Sequence, residues 1–111
     1  MSHFTSIKTQ IKDKDALIKA LADVGFKNLE VNDTAQSLYG YQGDVRPETA
    51  EVIIRRKYIG SSSNDIGFKL QDHGQFQAII SEFDRGRYNQ QWLNQVMQRY
   101  GYYSCLSHSQ I

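Results

Sequence analysis

The stretch IGFKLQDHGQFQAIISEF, residues 66–83, decides the fold. Ile66, Phe68 and Leu70 alternate with Gly67, Lys69 and Gln71, which is the period of a half-buried strand. Asp72-His73-Gly74 supplies turn residues, and QFQAIISEF resumes an apolar, β-rich run directly after them. Two strands joined by so short a loop are antiparallel neighbours. A sheet grown from this hairpin is therefore mainly antiparallel.

Upstream, EVIIRRKYI (51–59) reads as the next strand, with Val52, Ile54, Arg56 and Tyr58 on one side and Glu51, Ile53, Arg55 and Lys57 on the other. The run from Gly60 to Asp65 is a turn. NLEVN places Leu29 and Val31 on one face. Asn32-Asp33-Thr34 signals a further turn, QSLYGY (36–41) gives another strand, and QGDVRPETA reads as a loop carrying the single proline, Pro47. HFTSIKTQI (3–11), with Thr5, Ile7, Thr9 and Ile11 on one face, is the first strand. Asp13 caps a helix over 14–24, apolar at Ala16, Leu17, Ala20, Leu21 and Val24 and ended by Gly25. Asp84 to Arg87 breaks the last strand. Asn89 caps a second helix, whose stripe is Trp92, Leu93, Val96, Met97 and Tyr100. Gly101 is placed to end it, leaving YYSCLSH as a final strand or docked tail.

The element order is β-α-β-β-β-β-β-α. Two helices cannot cover both faces of a parallel sheet. The expected fold is a single α+β domain over residues 1–111, a mainly antiparallel sheet of five to six strands with both helices on one face.

Composition narrows the function. The 111 residues are 40% apolar and 23% charged, an ordinary globular balance. Thirteen Lys+Arg against twelve Asp+Glu leave a net charge of +1, without the basic excess of a dedicated nucleic-acid domain. The single Cys105 can form no intrachain disulfide, which fits a reducing compartment. No apolar run is long enough to span a membrane. The start lacks a signal-peptide core, so the mature chain is expected to begin at Met1 or Ser2.

No phosphate-binding glycine motif, paired metal-ligand spacing or nucleophile–base pattern occurs, so neither an enzyme nor a resident cofactor or metal is expected. Met1-Ser2-His3 could chelate Cu(II) only if Met1 stayed. Cys105 near His108 suggests a thiolate pair, but a buried structural cysteine is the expected reading. Trp92, Tyr100, Tyr102 and Tyr103 could stack on bases. Helical spacing instead packs Trp92 and Tyr100 on the sheet and leaves one of Tyr102 and Tyr103 exposed. Arg55-Arg56-Lys57 is the densest basic run. On a strand, Arg55 and Lys57 would form a small exposed patch, joined by Lys69 from the next strand. The candidate binding surface is thus Arg55, Lys57, Lys69, Tyr102 and Tyr103.

The segments MSHFTSIKTQIKDKDALIKALADVGF, YGYQGD, AEVIIRR, NDIGFKL and WLNQVMQRYGYYSCL, in this order from Ser2 to about Leu106, resemble the hypothetical chloroplast reading frame thirty-five family of algal plastids and cyanobacteria. The resemblance implies a soluble protein of the cyanobacterial cytoplasm or plastid stroma and carries over no catalytic residues. Two functions are open. One is a non-enzymatic accessory or assembly module that docks on another protein, since exposed Tyr and Arg are enriched in interfaces. The other is a weak single-stranded RNA binder using an aromatic and basic sheet surface. A homodimer through an exposed edge such as 36–41 is a further expectation.

Overall fold

In the computed structural model, which describes residues 3–109, the hairpin at the centre of the sequence forms as expected. Strand Ile66–Leu70 (β4) pairs antiparallel with Phe76–Ser81 (β5), with Phe68 opposite Ala78 and Leu70 opposite Phe76. The Gln71 N–H donates to the Gln75 carbonyl at 2.9 Å across the turn, and Gly74 takes the positive φ of 91° that this turn needs.

Three more strands complete one antiparallel sheet. Phe4–Lys8 (β1) pairs with β5, Val45–Ile54 (β3) pairs with β4, and Glu30–Tyr39 (β2) pairs with β3, in the spatial order β1-β5-β4-β3-β2. Helices Lys14–Asp23 (α1) and Gln90–Ser109 (α2) pack on one face. The core there joins Leu17, Ala20 and Leu21 of α1 and Leu93 and Val96 of α2 to Val52, Ile54, Phe68, Ala78 and Ile80 of the sheet. The domain is α+β, as expected.

Both helix starts obey their sequence signals. The Asp13 Oδ1 accepts the N–H of Asp15 at 3.0 Å, and Asn89 Oδ1 accepts that of Trp92 at 3.0 Å. At the end of α1, Phe26 N–H donates to the Leu21 carbonyl and Gly25 N–H to that of Ala22, with Gly25 at φ 107°. This is a Schellman closure.

Four local expectations change. The stretches NLEVN and QSLYGY are one strand, β2, so the order is β-α-β-β-β-β-α with five strands. The turn residues Asn32-Asp33-Thr34 make a bulge instead: the register jumps from Val31–Val52 to Gln36–Ala50. Second, the expected loop around Pro47 lies in β3. Pro47 stands beyond the three residues of β3 that pair with β4 and outside the regular pairs with β2, so its missing N–H breaks no ladder bond. Third, residues 56–58 are not strand but a single 3₁₀ turn, Arg56–Tyr58. Fourth, Gly101 does not end α2. The helix runs on to Ser109, so 102–109 is neither strand nor separate tail, and Cys105 is exposed rather than buried. A Gly in an exposed helix costs only about 1 kcal/mol against Ala. Contacts of Arg99 and Tyr103 with Asp23 of α1, at 2.8 and 2.7 Å, hold the turns on both sides of it.

The bulge has a large consequence. Beyond it the outer half of the β2–β3 hairpin bends over the helix-free face of the sheet. There Leu38 and Ala50 join Ile53 and Ile79 in a second buried cluster, with Phe4 beside it. Arg46 of β3 stands 5.6 Å from the centre of the Phe4 ring on β1, three strands away in the sheet order. Gly67 lies beneath this flap. A Cβ there would sit 2.7 Å from the Ala50 Cβ and 3.1 Å from a Leu38 methyl, so the close approach requires glycine.

Candidate protein-binding surface

The basic run at 55–57 is split by the end of β3, and each of its members has a different role. Arg55 is half-buried and acts as a brace. Its Nε and Nη2 donate to the two carboxylate oxygens of Glu30 at 2.9 and 2.5 Å, and its Nη1 donates to Asp65 Oδ2 at 2.7 Å and to the Ser37 carbonyl at 3.0 Å. The guanidinium also lies 5.0 Å from the Tyr39 ring centre. Burial opposes its charge, but the bonds to Glu30 and Asp65 outweigh that and raise its pKa. The Arg55 guanidinium in turn holds the Glu30 carboxyl below its ordinary value.

Asp65 is the fully buried partner. Besides Arg55 it accepts the N–H of Tyr39 at 2.8 Å and of Arg56 at 2.6 Å, so each oxygen is charge-assisted or backbone-bonded. Its own N–H donates to the Tyr39 carbonyl at 3.0 Å. Next to it, Asn64 Oδ1 accepts the Tyr41 N–H at 2.8 Å, and Asn64 Nδ2 donates to Ser81 Oγ at 2.8 Å. Arg56 fastens the same loop, its Nε donating to the Ser63 carbonyl at 3.0 Å. The loop 60–65 is thus stitched along the outer edge of β2.

This changes two expectations. Arg55, Lys57 and Lys69 do not form one exposed patch: Arg55 is consumed internally, and Lys69 donates to Thr49 Oγ1 at 2.7 Å. Nor is the edge at 36–41 open to a second copy. The Ser37 carbonyl, both backbone groups of Tyr39 and the Tyr41 N–H are already bonded within the chain.

What the network leaves outside is Lys57. It is exposed, makes no ion pair among the described residues, and rests 5.0 Å from the Tyr58 ring centre. It shares a shallow cleft of about 440 Å³ with Tyr39, Gly43, Arg55, Arg56 and Asp65. Tyr39 beside it in the cleft, Tyr58 beneath its ammonium, and Tyr41 and Val45 at the hairpin tip are all exposed, Val45 to 65%. The β2–β3 hairpin tip therefore presents two aromatic rings and a valine, and the 56–58 turn adds Tyr58 and the ammonium of Lys57, on a firmly bonded frame. Sequence reasoning picked out Lys57 but missed Tyr39, Tyr41, Val45 and Tyr58. The paired turn glycines of YGYQGD were the available signal for an exposed hairpin tip.

Tyr102 and Tyr103 belong to a different cluster, on α2. Tyr103 donates to Asp23 Oδ2 at 2.7 Å beside Arg99, while Tyr102 is 51% exposed with Arg99 4.9 Å from its ring centre. The Tyr103 hydroxyl and the Arg99 guanidinium hold the Asp23 carboxyl below its ordinary value. The suggested pairing of Cys105 with His108 falls on a side chain outside the described residues, as the copper reading of Met1-Ser2-His3 falls on Met1 and Ser2. Among the described residues no group of three or more His, Cys, Asp and Glu side chains is placed to hold a metal ion. No helix among them is long and apolar enough to cross a membrane.

The fold and surface define a small α+β protein with a flap-covered antiparallel sheet and an exposed aromatic hairpin tip. It matches the family described as protein of unknown function (DUF1257) over residues 20–111, and the chain belongs to that family. It is also similar to the uncharacterized protein ycf35 of Cyanophora paradoxa, 27% identical over 104 residues that cover 92% of this chain and 73% of that protein. The resemblance read from the sequence is thus upheld, with a relative from a plastid-bearing organism. No solved structure matches.

Proposed function

We propose that the protein is a non-enzymatic accessory or assembly module of photosynthetic cells, docking on another protein through the hairpin tip and the 55–58 turn. The observation that carries this reading is the exposure of Tyr39, Tyr41 and Val45 on the hairpin and of Tyr58 and Lys57 on the turn, with Tyr39 and Lys57 sharing one cleft, on a frame locked by Arg55 and Asp65. Rigid aromatic side chains bury much area at little entropic cost, and a pre-bonded frame lowers the ordering cost of association. The lone ammonium favours a partner segment with a carboxylate beside its apolar contacts. The RNA reading needed Tyr102, Tyr103, Arg55 and Lys57 on one open sheet face. These residues lie on a helix, at a strand end and on a turn, and the helix-free face is covered by the hairpin.

The test is affinity capture of the tagged protein from a photosynthetic host lysate, with and without nuclease, beside Tyr41→Ala and Lys57→Glu variants. A stoichiometric complex that survives nuclease and is lost in both variants supports the reading. Capture unchanged by both variants overturns it, and protein lost on nuclease treatment transfers the function to RNA. Arg55→Ala is not a usable probe here, because it leaves buried Asp65 unpaired.

A further inference from the structure

A second basic site has no counterpart in any short stretch of sequence. Lys8, Thr9 and Lys12, from the end of β1 and the segment after it, face His73, Gln75, Phe76 and Gln77 of the β4–β5 turn and β5 across a cleft of about 390 Å³. No carboxylate lines it. Lys8 and Lys12 make no ion pair among the described residues, although the whole chain is close to neutral. Charges of one sign gathered in a concave site focus the field and favour a counter-ion there.

The walls are fixed before any ligand arrives. Thr9 Oγ1 donates to the Phe76 carbonyl at 2.6 Å and accepts the Ile11 N–H at 3.2 Å, and the Phe76 N–H donates to the Ile11 carbonyl at 2.8 Å. Lys8 stands opposite Gln77 in the β1–β5 register. The Lys12 N–H donates to the Tyr100 hydroxyl of α2 at 2.9 Å, which pins the far side. His73 Nδ1 accepts the Gln75 N–H at 3.4 Å, so in the neutral ring the proton sits on Nε2, a free donor. The cleft thus offers two ammonium groups, an imidazole N–H and the two side-chain amides of Gln75 and Gln77. An adjoining hollow of about 500 Å³ adds Gln10 and Met97. Phe76, the one Phe, Tyr or Trp lining the cleft, is buried, which leaves the His73 imidazole as its exposed ring.

We infer that this cleft is an anion site for a phosphate group, separate from the docking surface and independent of it. The volume suits a small phosphorylated molecule, and several donors with no acceptor of negative charge suit its oxygens.

The experiment is a backbone-amide NMR titration of the full chain with pyrophosphate, against sodium chloride at matched ionic strength. A second arm uses a 5′-phosphorylated single-stranded tetranucleotide. Saturable shifts at residues 8–12 and 73–77, weakened at least about tenfold in the Lys8→Gln, Lys12→Gln double variant, are expected. Equal or tighter binding of pyrophosphate assigns the phosphate to a small molecule, and tighter binding of the tetranucleotide assigns it to a nucleic-acid backbone. Shifts reproduced by chloride, or an affinity unchanged in a double variant that keeps the wild-type amide spectrum elsewhere, would overturn the inference.

Discussion

Two basic regions of this molecule differ in what their charges do. Around Arg55 the cations are matched by Glu30 and by Asp65, whose carboxylate is wholly buried, and the result is a brace. Around Lys8, Lys12 and His73 no acid lines the cleft, and the result is positive charge left unneutralised and facing solvent. The difference teaches that density of basic residues along the chain is a poor guide to binding. Of the run of three, Arg55 is absorbed by acids brought from elsewhere and Arg56 by backbone carbonyls, which leaves only Lys57 outward. Single residues some sixty positions apart, each too isolated to draw notice, converge because β1 and β5 pair.

The sharpest way to break this contrast is Asp65→Ala. Removing the buried carboxylate strands Arg55 and two backbone N–H groups, and should cost about 3–5 kcal/mol in urea unfolding. Thr9→Val comes next. It removes the bonds that clamp the cleft wall, at about 1–2 kcal/mol, and should blunt the phosphate-induced shifts at residues 8–12. Glu30→Gln should cost less than about 1 kcal/mol, since Glu30 is part-exposed and solvent screens the pair. Its signature is in pH. Because Arg55 depresses the folded-state pKa of Glu30, the pair's contribution is complete above the ordinary value of 4.5 and is lost as pH falls through the lower folded value. Stability measured across that acid range should therefore decline less steeply in Glu30→Gln than in the wild type. The smallest effect belongs to the double variant Lys8→Gln, Lys12→Gln, whose unfolding midpoint should stay within about 0.5 kcal/mol of wild type. A large loss there would mean that those lysines, too, are structural.

Much of the frame was legible in the chain. The 66–83 hairpin, the Asp13 and Asn89 caps, the Gly25 closure and the stripe from Trp92 to Tyr100 all follow from local chemistry, and the structure has them. The misread places share one cause, contacts between distant residues. Asn32-Asp33-Thr34 carries turn propensity, but pairing with β3 on both sides turns it into the bulge that throws the hairpin over the sheet. Gly101 looks like a stop, yet the Asp23 contacts of Arg99 and Tyr103 carry α2 past it. Of the candidate site residues, Lys57 was placed on the surface for the wrong reason, as part of a strand. Arg55 could not be known as internal without Asp65, ten positions on beyond a turn. The aromatic hairpin tip and the lysine cleft exist only once the sheet order is known.

The most direct measurement compares two neighbours in the one basic run, Arg55→Ala and Lys57→Ala, by urea unfolding. A braced Arg55 predicts a loss of about 3–5 kcal/mol for Arg55→Ala, because buried Asp65 loses its cation, and a change within about 0.5 kcal/mol for Lys57→Ala. Equal and small costs at both positions would contradict it and make the run a single solvated patch.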